Sequence, residues 1–145
     1  MVLHLLHGGI FMKATGSIRP LDDLGRIVVP KVIRKRMDLV ENRDYVEIYI
    51  RDGNILLRKC KEDDLPSITR KVDEFGRVVI PKEIRRSFDL KEKIDSVEIF
   101  VDDDAQIILK KYEPGCVFCG YVGRTHPFKQ RYICEDCLKE IKELG

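Results

Sequence analysis

The stretch Arg19–Ile50, RPLDDLGRIVVPKVIRKRMDLVENRDYVEIYI, recurs in altered form at Arg70–Val101, RKVDEFGRVVIPKEIRRSFDLKEKIDSVEIFV. The shift is 51 residues, and 16 of the 32 aligned positions are identical. Most other positions are like-for-like, among them Ile27/Val78, Val29/Ile80, Lys35/Arg86 and Tyr49/Phe100. One extra residue in the second copy then sets Ile55–Lys59 over Ile107–Lys111. A repeat of this length sets the architecture and is read before any single element.

Both copies share one grammar. A first strand near Thr15–Leu21, or Ile68–Val72, runs into the acidic turns Asp22–Gly25 and Asp73–Gly76, where glycine supplies the positive φ of a tight turn. The β-branched runs Ile27–Val29 and Val78–Ile80 follow as second strands. Pro30 and Pro81 end them and suit a helix start. Ile33 and Met37, or Ile84 and Phe88, lie four apart and give a short helix one apolar stripe. Two alternating strands close each unit, Tyr45–Ile50 with Ile55–Lys59 and Ser96–Val101 with Gln106–Lys111. The order β-β-α-β-β occurs twice, so the chain reads as mainly β with short helices. The expected division is a flexible extension over 1–11, repeats over 12–61 and 68–113, a charged linker over 62–67 containing Pro66, and a cysteine-bearing tail over 114–145.

The net charge of +2 conceals a polarity. Residues 12–61 carry +5 and residues 62–113 carry −4. Within each copy the cations concentrate in the hairpin-and-helix part: six against two acids over Ser17–Met37, and six against three over Ile68–Phe88. A phosphate backbone would be drawn to that part and repelled by the acidic Asp89–Glu113. Charge alone is more often a solvated face than a nucleic-acid site.

The stretches Asp22–Arg34 (DDLGRIVVPKVIR) and Asp73–Arg86 (DEFGRVVIPKEIRR) resemble the DNA-binding domain of AbrB/SpoVT-type transition-state regulators, with Met12–Gly16 and Ile107–Tyr112 (IILKKY) fitting too. The resemblance covers roughly residues 12–113 and implies a swapped-hairpin fold, in which two copies exchange hairpins to form one barrel. It also implies a double-stranded DNA partner and a DNA-binding transcriptional regulator associated with the nucleoid, in the cytoplasm that the paired cysteines lead one to expect. Carried onto this sequence, its DNA-contacting positions are Arg19, Arg26, Arg34 and Lys35 in the first copy, and Arg70, Arg77, Arg85 and Arg86 in the second. Arginine suits such a role because its planar fork grips phosphate or guanine bidentately. A usual member holds one copy and dimerises. Here both copies lie in one chain, so exchange within the chain and exchange between chains are both open. MazE-like antitoxins share this fold, bind DNA and neutralise a toxin through a C-terminal tail, which gives the alternative reading.

Cys116-x2-Cys119 and Cys134-x2-Cys137, fourteen residues apart, have the spacing of a four-thiolate structural zinc site, a zinc-ribbon-like tail. Paired cysteines of this kind fit a reducing compartment better than a disulfide framework. A short helix is expected from Glu135 to about Leu144, with His126 as a loop residue and Cys60 as a strand-end filler. Self-association through the tail is a candidate role. No stretch approaches the ~18 apolar residues of a membrane span, and the sequence holds no HExxH, phosphate-cradling glycine loop or Ser/His/Asp set, so a membrane partner and catalysis are not expected.

Overall fold

A computed structural model describes residues 3–5, 11–60, 68–129 and 131–145. They form two compact units, Met1–Tyr112 and Glu113–Gly145. The expected linker over 62–67 lies outside the described residues.

In the first unit the β-branched runs form strands and the prolines end them. The first half comprises β2 (Phe11–Pro20), β3 (Arg26–Val28), α1 (Lys31–Arg36), β4 (Tyr45–Arg51) and β5 (Asn54–Cys60). The second comprises β6 (Thr69–Lys71), β7 (Arg77–Val79), α2 (Lys82–Ser87), β8 (Ser96–Asp102) and β9 (Gln106–Lys111). Pro30 and Pro81 sit at the helix N-caps with φ near −56° and −55°, the value their rings impose. Each helix is under two turns long and holds its place through one buried residue, Ile33 or Ile84, not through helix propensity.

Neither half folds on itself. Each contributes a hairpin, β4–β5 or β8–β9, but its first two strands pair with the other half. Strand β2 runs antiparallel to β8, and β6 antiparallel to β4. Strands β3 and β7 pair as Arg26↔Val79, Ile27↔Val78 and Val28↔Arg77. Strands β5 and β9 pair as Ile55↔Leu109, Leu56↔Ile108 and Leu57↔Ile107. Both registers map onto themselves under the sequence repeat, so a local two-fold passes through Ile27/Val78 and Leu56/Ile108. The strands that the family resemblance expects to exchange thus pair between the two halves of the chain.

The resulting seven-stranded sheet has the order β1-β2-β8-β9-β5-β4-β6, and β3–β7 is a separate two-stranded ribbon. The core lies between the inner face of the sheet, the ribbon and the two helices, and draws on Leu21, Ile27, Val46, Val78, Ile80 and Val97 alike. A smaller cluster, Met12, Leu56, Phe100 and Ile108, lies apart from it, with Ala14 and Tyr49 packed alongside. Leu56 and Ile108 alternate with the core residues of their own strands, as the two-residue period requires. The ten-residue β2 carries Met12 and Ala14 over this cluster, whereas β6 spans only three residues.

One expectation needs correction. Residues 1–11 read as a flexible extension, but Leu3–Leu5 forms β1, antiparallel to Phe11–Lys13. The physical reason is that β2 would otherwise present an unpaired row of backbone donors and acceptors, and an apolar alternating segment nearby can satisfy it. The other residues of that extension lie outside those described, save Phe11, which opens β2.

In the second unit, β10 (Thr125–Phe128) and β11 (Arg131–Cys134) form an antiparallel ribbon followed by α3 (Glu135–Glu143). Helix α3 lies where the sequence indicates. The ribbon was not expected, and His126 stands on a strand opposite Ile133 instead of in a loop.

If the core belongs to both halves at once, Ile27→Ala should cost about 2–5 kcal/mol. Amide exchange should then accelerate by the same factor in β4–β5 and in β8–β9. Acceleration confined to residues 20–60 would contradict the shared core.

Candidate nucleic-acid interface and metal centre

The ribbon alternates. Ile27 and Val78 are buried, and the adjoining Val29 and Ile80 continue the buried side. Arg26, Val28, Arg77 and Val79 occupy the other face. The register makes Arg26 and Arg77 diagonal neighbours there, roughly 7–8 Å apart at Cα. The exchange thus places one arginine from each half side by side across the two-fold.

Each of these arginines is oriented by the acid that opens its own turn. Asp22 Oδ1 accepts from the amides of Leu24 and Arg26 at 2.9 and 2.8 Å, and Asp22 Oδ2 accepts from Arg26 Nε at 2.5 Å. Asp73 does the same for Phe75 and Arg77, at 2.9, 2.7 and 2.6 Å. Burial raises the pKa of both carboxyls, but these amide and guanidinium hydrogen bonds outweigh it and hold both below the ordinary aspartate value. The pairing occupies Nε, one of five guanidinium donors, and fixes the plane of the rest. At the turn tips Leu24 and Phe75 are exposed, and the Arg77 guanidinium lies 4.8 Å from the centre of the Phe75 ring.

Arg34 and Arg85 have a different place. Arg34 Nε donates to Val29 O at 2.9 Å and its Nη1 to Glu41 at 2.8 Å; Arg85 Nε donates to Ile80 O at 2.8 Å and its Nη1 to Glu92. Their side chains are only 12% and 11% exposed. Each lies against the turn glycine of the opposite half: a Cβ on Gly76 would come within 2.7 Å of Arg34, and one on Gly25 within 2.5 Å of Arg85. Both glycines have φ near +77°, so the turn and the close approach require the same residue. The backbone follows suit, with Val29 N–H donating to Gly76 O and Ile80 N–H to Gly25 O, each at 2.9 Å.

The eight arginines and lysines expected at the interface therefore separate into groups. Arg26 and Arg77 come together on the ribbon, and Lys35 and Arg86 are exposed on the helices. Arg19 and Arg70, register partners of the core residues Val97 and Val46, are half-buried. Arg34 and Arg85 clamp the opposite turns. The DNA-contacting set implied by the resemblance left out Lys31, Arg36 and Lys82, all exposed on the helices, and the tip residues Leu24 and Phe75. An apolar residue at the centre of an acidic turn, twice, was the available signal.

In the tail the sulfurs of Cys116, Cys119, Cys134 and Cys137 all lie within 4.8 Å of one another. Cys119 Sγ and Cys134 Sγ are 3.7 Å apart, far beyond a disulfide and close to the ~3.8 Å edge of a tetrahedron with 2.3 Å metal–sulfur bonds. The amides of Phe118 and Cys137 donate to Cys116 Sγ and Cys134 Sγ, both at 3.4 Å, as in paired-cysteine knuckles. Backbone hydrogen bonding, led by that to Cys134, draws the Cys116 thiol down to about 6, whereas hydrogen bonding to Cys134 and burial push Cys137 up. Four sulfurs so close could hold a metal ion, and their chemistry fits one with thiolate preference. His126 Nε2 lies 2.5 Å from Glu135 Oε2 on the neighbouring helix turn, which lowers the glutamate's pKa, first through that hydrogen bond.

The chain is similar in sequence to one described protein family and to several regulators. Residues 69–116 match the family described as antidote-toxin recognition MazE, bacterial antitoxin. A stretch of 58 residues is 64% identical to the transition state regulatory protein AbrB of Bacillus subtilis (strain 168), covering 40% of this chain and 57% of that protein. Another of 47 residues is 60% identical to stage V sporulation protein T of the same organism, covering 32% of this chain and 26% of that protein. The putative transition state regulator Abh is 53% identical over 57 residues, covering 38% of this chain and 60% of its own length. The chain thus spans between a quarter and three-fifths of the relatives it matches.

The two kinds of arginine should separate in urea denaturation. Arg34→Ala should cost about 1–3 kcal/mol, because it leaves the carbonyl of buried Val29 without its guanidinium donor. Arg26→Ala, which loses a partly exposed ion pair, should cost less than about 1 kcal/mol. Equal losses would contradict the clamp.

Proposed function

We propose that this chain is a DNA-binding transcriptional regulator. On this reading two tandem AbrB-like copies grip double-stranded DNA and a four-cysteine zinc ribbon follows them. The observation that carries it is the juxtaposition of Arg26 and Arg77 on the outward face of the β3–β7 ribbon, each held by its own aspartate. The two helices add the exposed cations Lys31, Lys35, Lys82 and Arg86. Cations held in fixed positions bind phosphate without ordering cost, and they displace condensed counterions. The regulators among the relatives support this reading over the antitoxin one.

Arg26, Arg77, Lys35 and Arg86 would reach the duplex directly, with Arg19 and Arg70 beside them. Arg34 and Arg85 would act chiefly by presenting the opposite turn. A closed four-sulfur zinc site leaves no open coordination position, so the metal's part is to hold the tail's fold. The tail exposes Phe118, Tyr121, Val122, Phe128 and Leu144, which supports protein contact through it, including self-association. No helix among the described residues is long and apolar enough to cross a membrane.

Duplex binding should weaken linearly in log K against log salt. Arg26→Ala or Arg77→Ala should each reduce that slope by roughly one phosphate contact. Unchanged slopes for both would remove the ribbon from the interface.

Protein purified under reducing conditions should hold one zinc per chain by elemental analysis. Chelation should unfold residues 113–145, since such sites supply on the order of 10 kcal/mol of folding energy, and leave the first unit intact. In light scattering the same treatment should reduce the mass to that of one chain. Protein without zinc, or a mass indifferent to chelation, would count against the ribbon and the self-association respectively.

A further inference from the structure

The strand exchange has an effect on symmetry that goes beyond holding the halves together. Each end of the proposed DNA surface is composite, because the helix of one half clamps the turn of the other. Helix α1 sits with the Asp73–Gly76 turn through Arg34 and Gly76, and helix α2 with the Asp22–Gly25 turn through Arg85 and Gly25. The residues that build these ends, Arg26/Arg77, Arg34/Arg85 and Gly25/Gly76, are identical in the two copies. The exposed residues they present are not.

Helix α1 exposes Lys31, Lys35 and Arg36 with the uncharged Val32 between them. Helix α2 exposes Lys82 and Arg86, but Glu83 stands where Val32 does and Ser87 where Arg36 does. The exposed helix charge is thus +3 at one end and +1 at the other. The turn tips differ as well, Leu24 against Phe75, both well exposed. Because the connection crosses over, the more cationic helix and the aromatic tip fall at the same end. The two differences add up at one end instead of offsetting each other across the molecule.

A homodimer of a single-copy chain must present two equal ends and is matched by a palindromic duplex. A chain that supplies both ends is under no such constraint. We infer, resting on the DNA-binding reading above, that this protein reads a non-palindromic duplex in one fixed orientation. The α1–Phe75 end takes the half-site that makes the stronger backbone contact, and the α2–Leu24 end takes a different one. Specificity then resides in Leu24, Phe75, Val32, Glu83, Arg36 and Ser87, where the copies diverge, and not in the arginines they share.

The test is selection by the full zinc-loaded chain from duplexes with a randomised core of roughly three helical turns. The expected consensus has two unlike halves. Duplexes in which either half is repeated as a palindrome should bind roughly tenfold more weakly than the selected one, as a few mismatched pairs would cause. The triple variant L24F/E83V/S87R, which gives the α2 end the surface of the α1 end, should instead prefer the palindrome of the strong half. Every changed position is exposed, and the wild-type selection stands without it. A palindromic consensus from the wild type, or retention without any consensus, would overturn the inference while leaving DNA binding intact. Failure to retain any duplex at low salt would remove the DNA-binding reading itself.

Discussion

Three residue pairs carry the architecture: Arg26↔Val79, Ile27↔Val78 and Val28↔Arg77. A ribbon of two three-residue strands has no independent stability in water. It exists here because Ile27 and Val78 are fully buried in a core that neither half could complete alone. The pairing draws β2 and β6 to opposite hairpins, and it sets each turn beneath the other half's helix. From the same pairing follows the outward placement of Arg26 and Arg77. Fold and candidate interface therefore depend on one contact between the copies.

Covalent linkage changes the thermodynamics of that contact. In separate chains the pairing would depend on protein concentration. In a single chain the partner is present at an effective concentration of about millimolar whatever the dilution. Linkage also releases the two halves from identity. The clamp residues are the same in both copies, whereas Val32/Glu83, Arg36/Ser87 and Leu24/Phe75 have diverged.

Much of this was legible in the sequence. The alternation of Tyr45–Ile50 and Ile55–Lys59, the prolines before the helices and the acid-glycine turns placed most elements of the first unit to within a residue or two, whereas β2 starts at Phe11, four residues before the expected Thr15. The cysteine spacing located the four sulfurs. What the sequence did not show was tertiary. Arg34 and Arg26 look alike in a basic run, yet one is clamped against Gly76 and the other is held outward by Asp22, and only the exchange separates them. Strand β1 escaped notice because three residues give too short a pattern, and their pairing depends on the edge left by β2. The β10–β11 ribbon was hidden for a related reason, since Pro127 within a four-residue strand argues against one locally.

The account depends most on the exchange being made within one chain. The direct measurement is an isotope-filtered NMR experiment on two differently labelled preparations, unfolded together and refolded as a mixture. Contacts between Ile27 and Val78 should be strong in uniformly labelled protein and absent between the two labelled populations. Such contacts crossing between labels at the level expected for random pairing would show that the hairpins exchange between chains, and would contradict it.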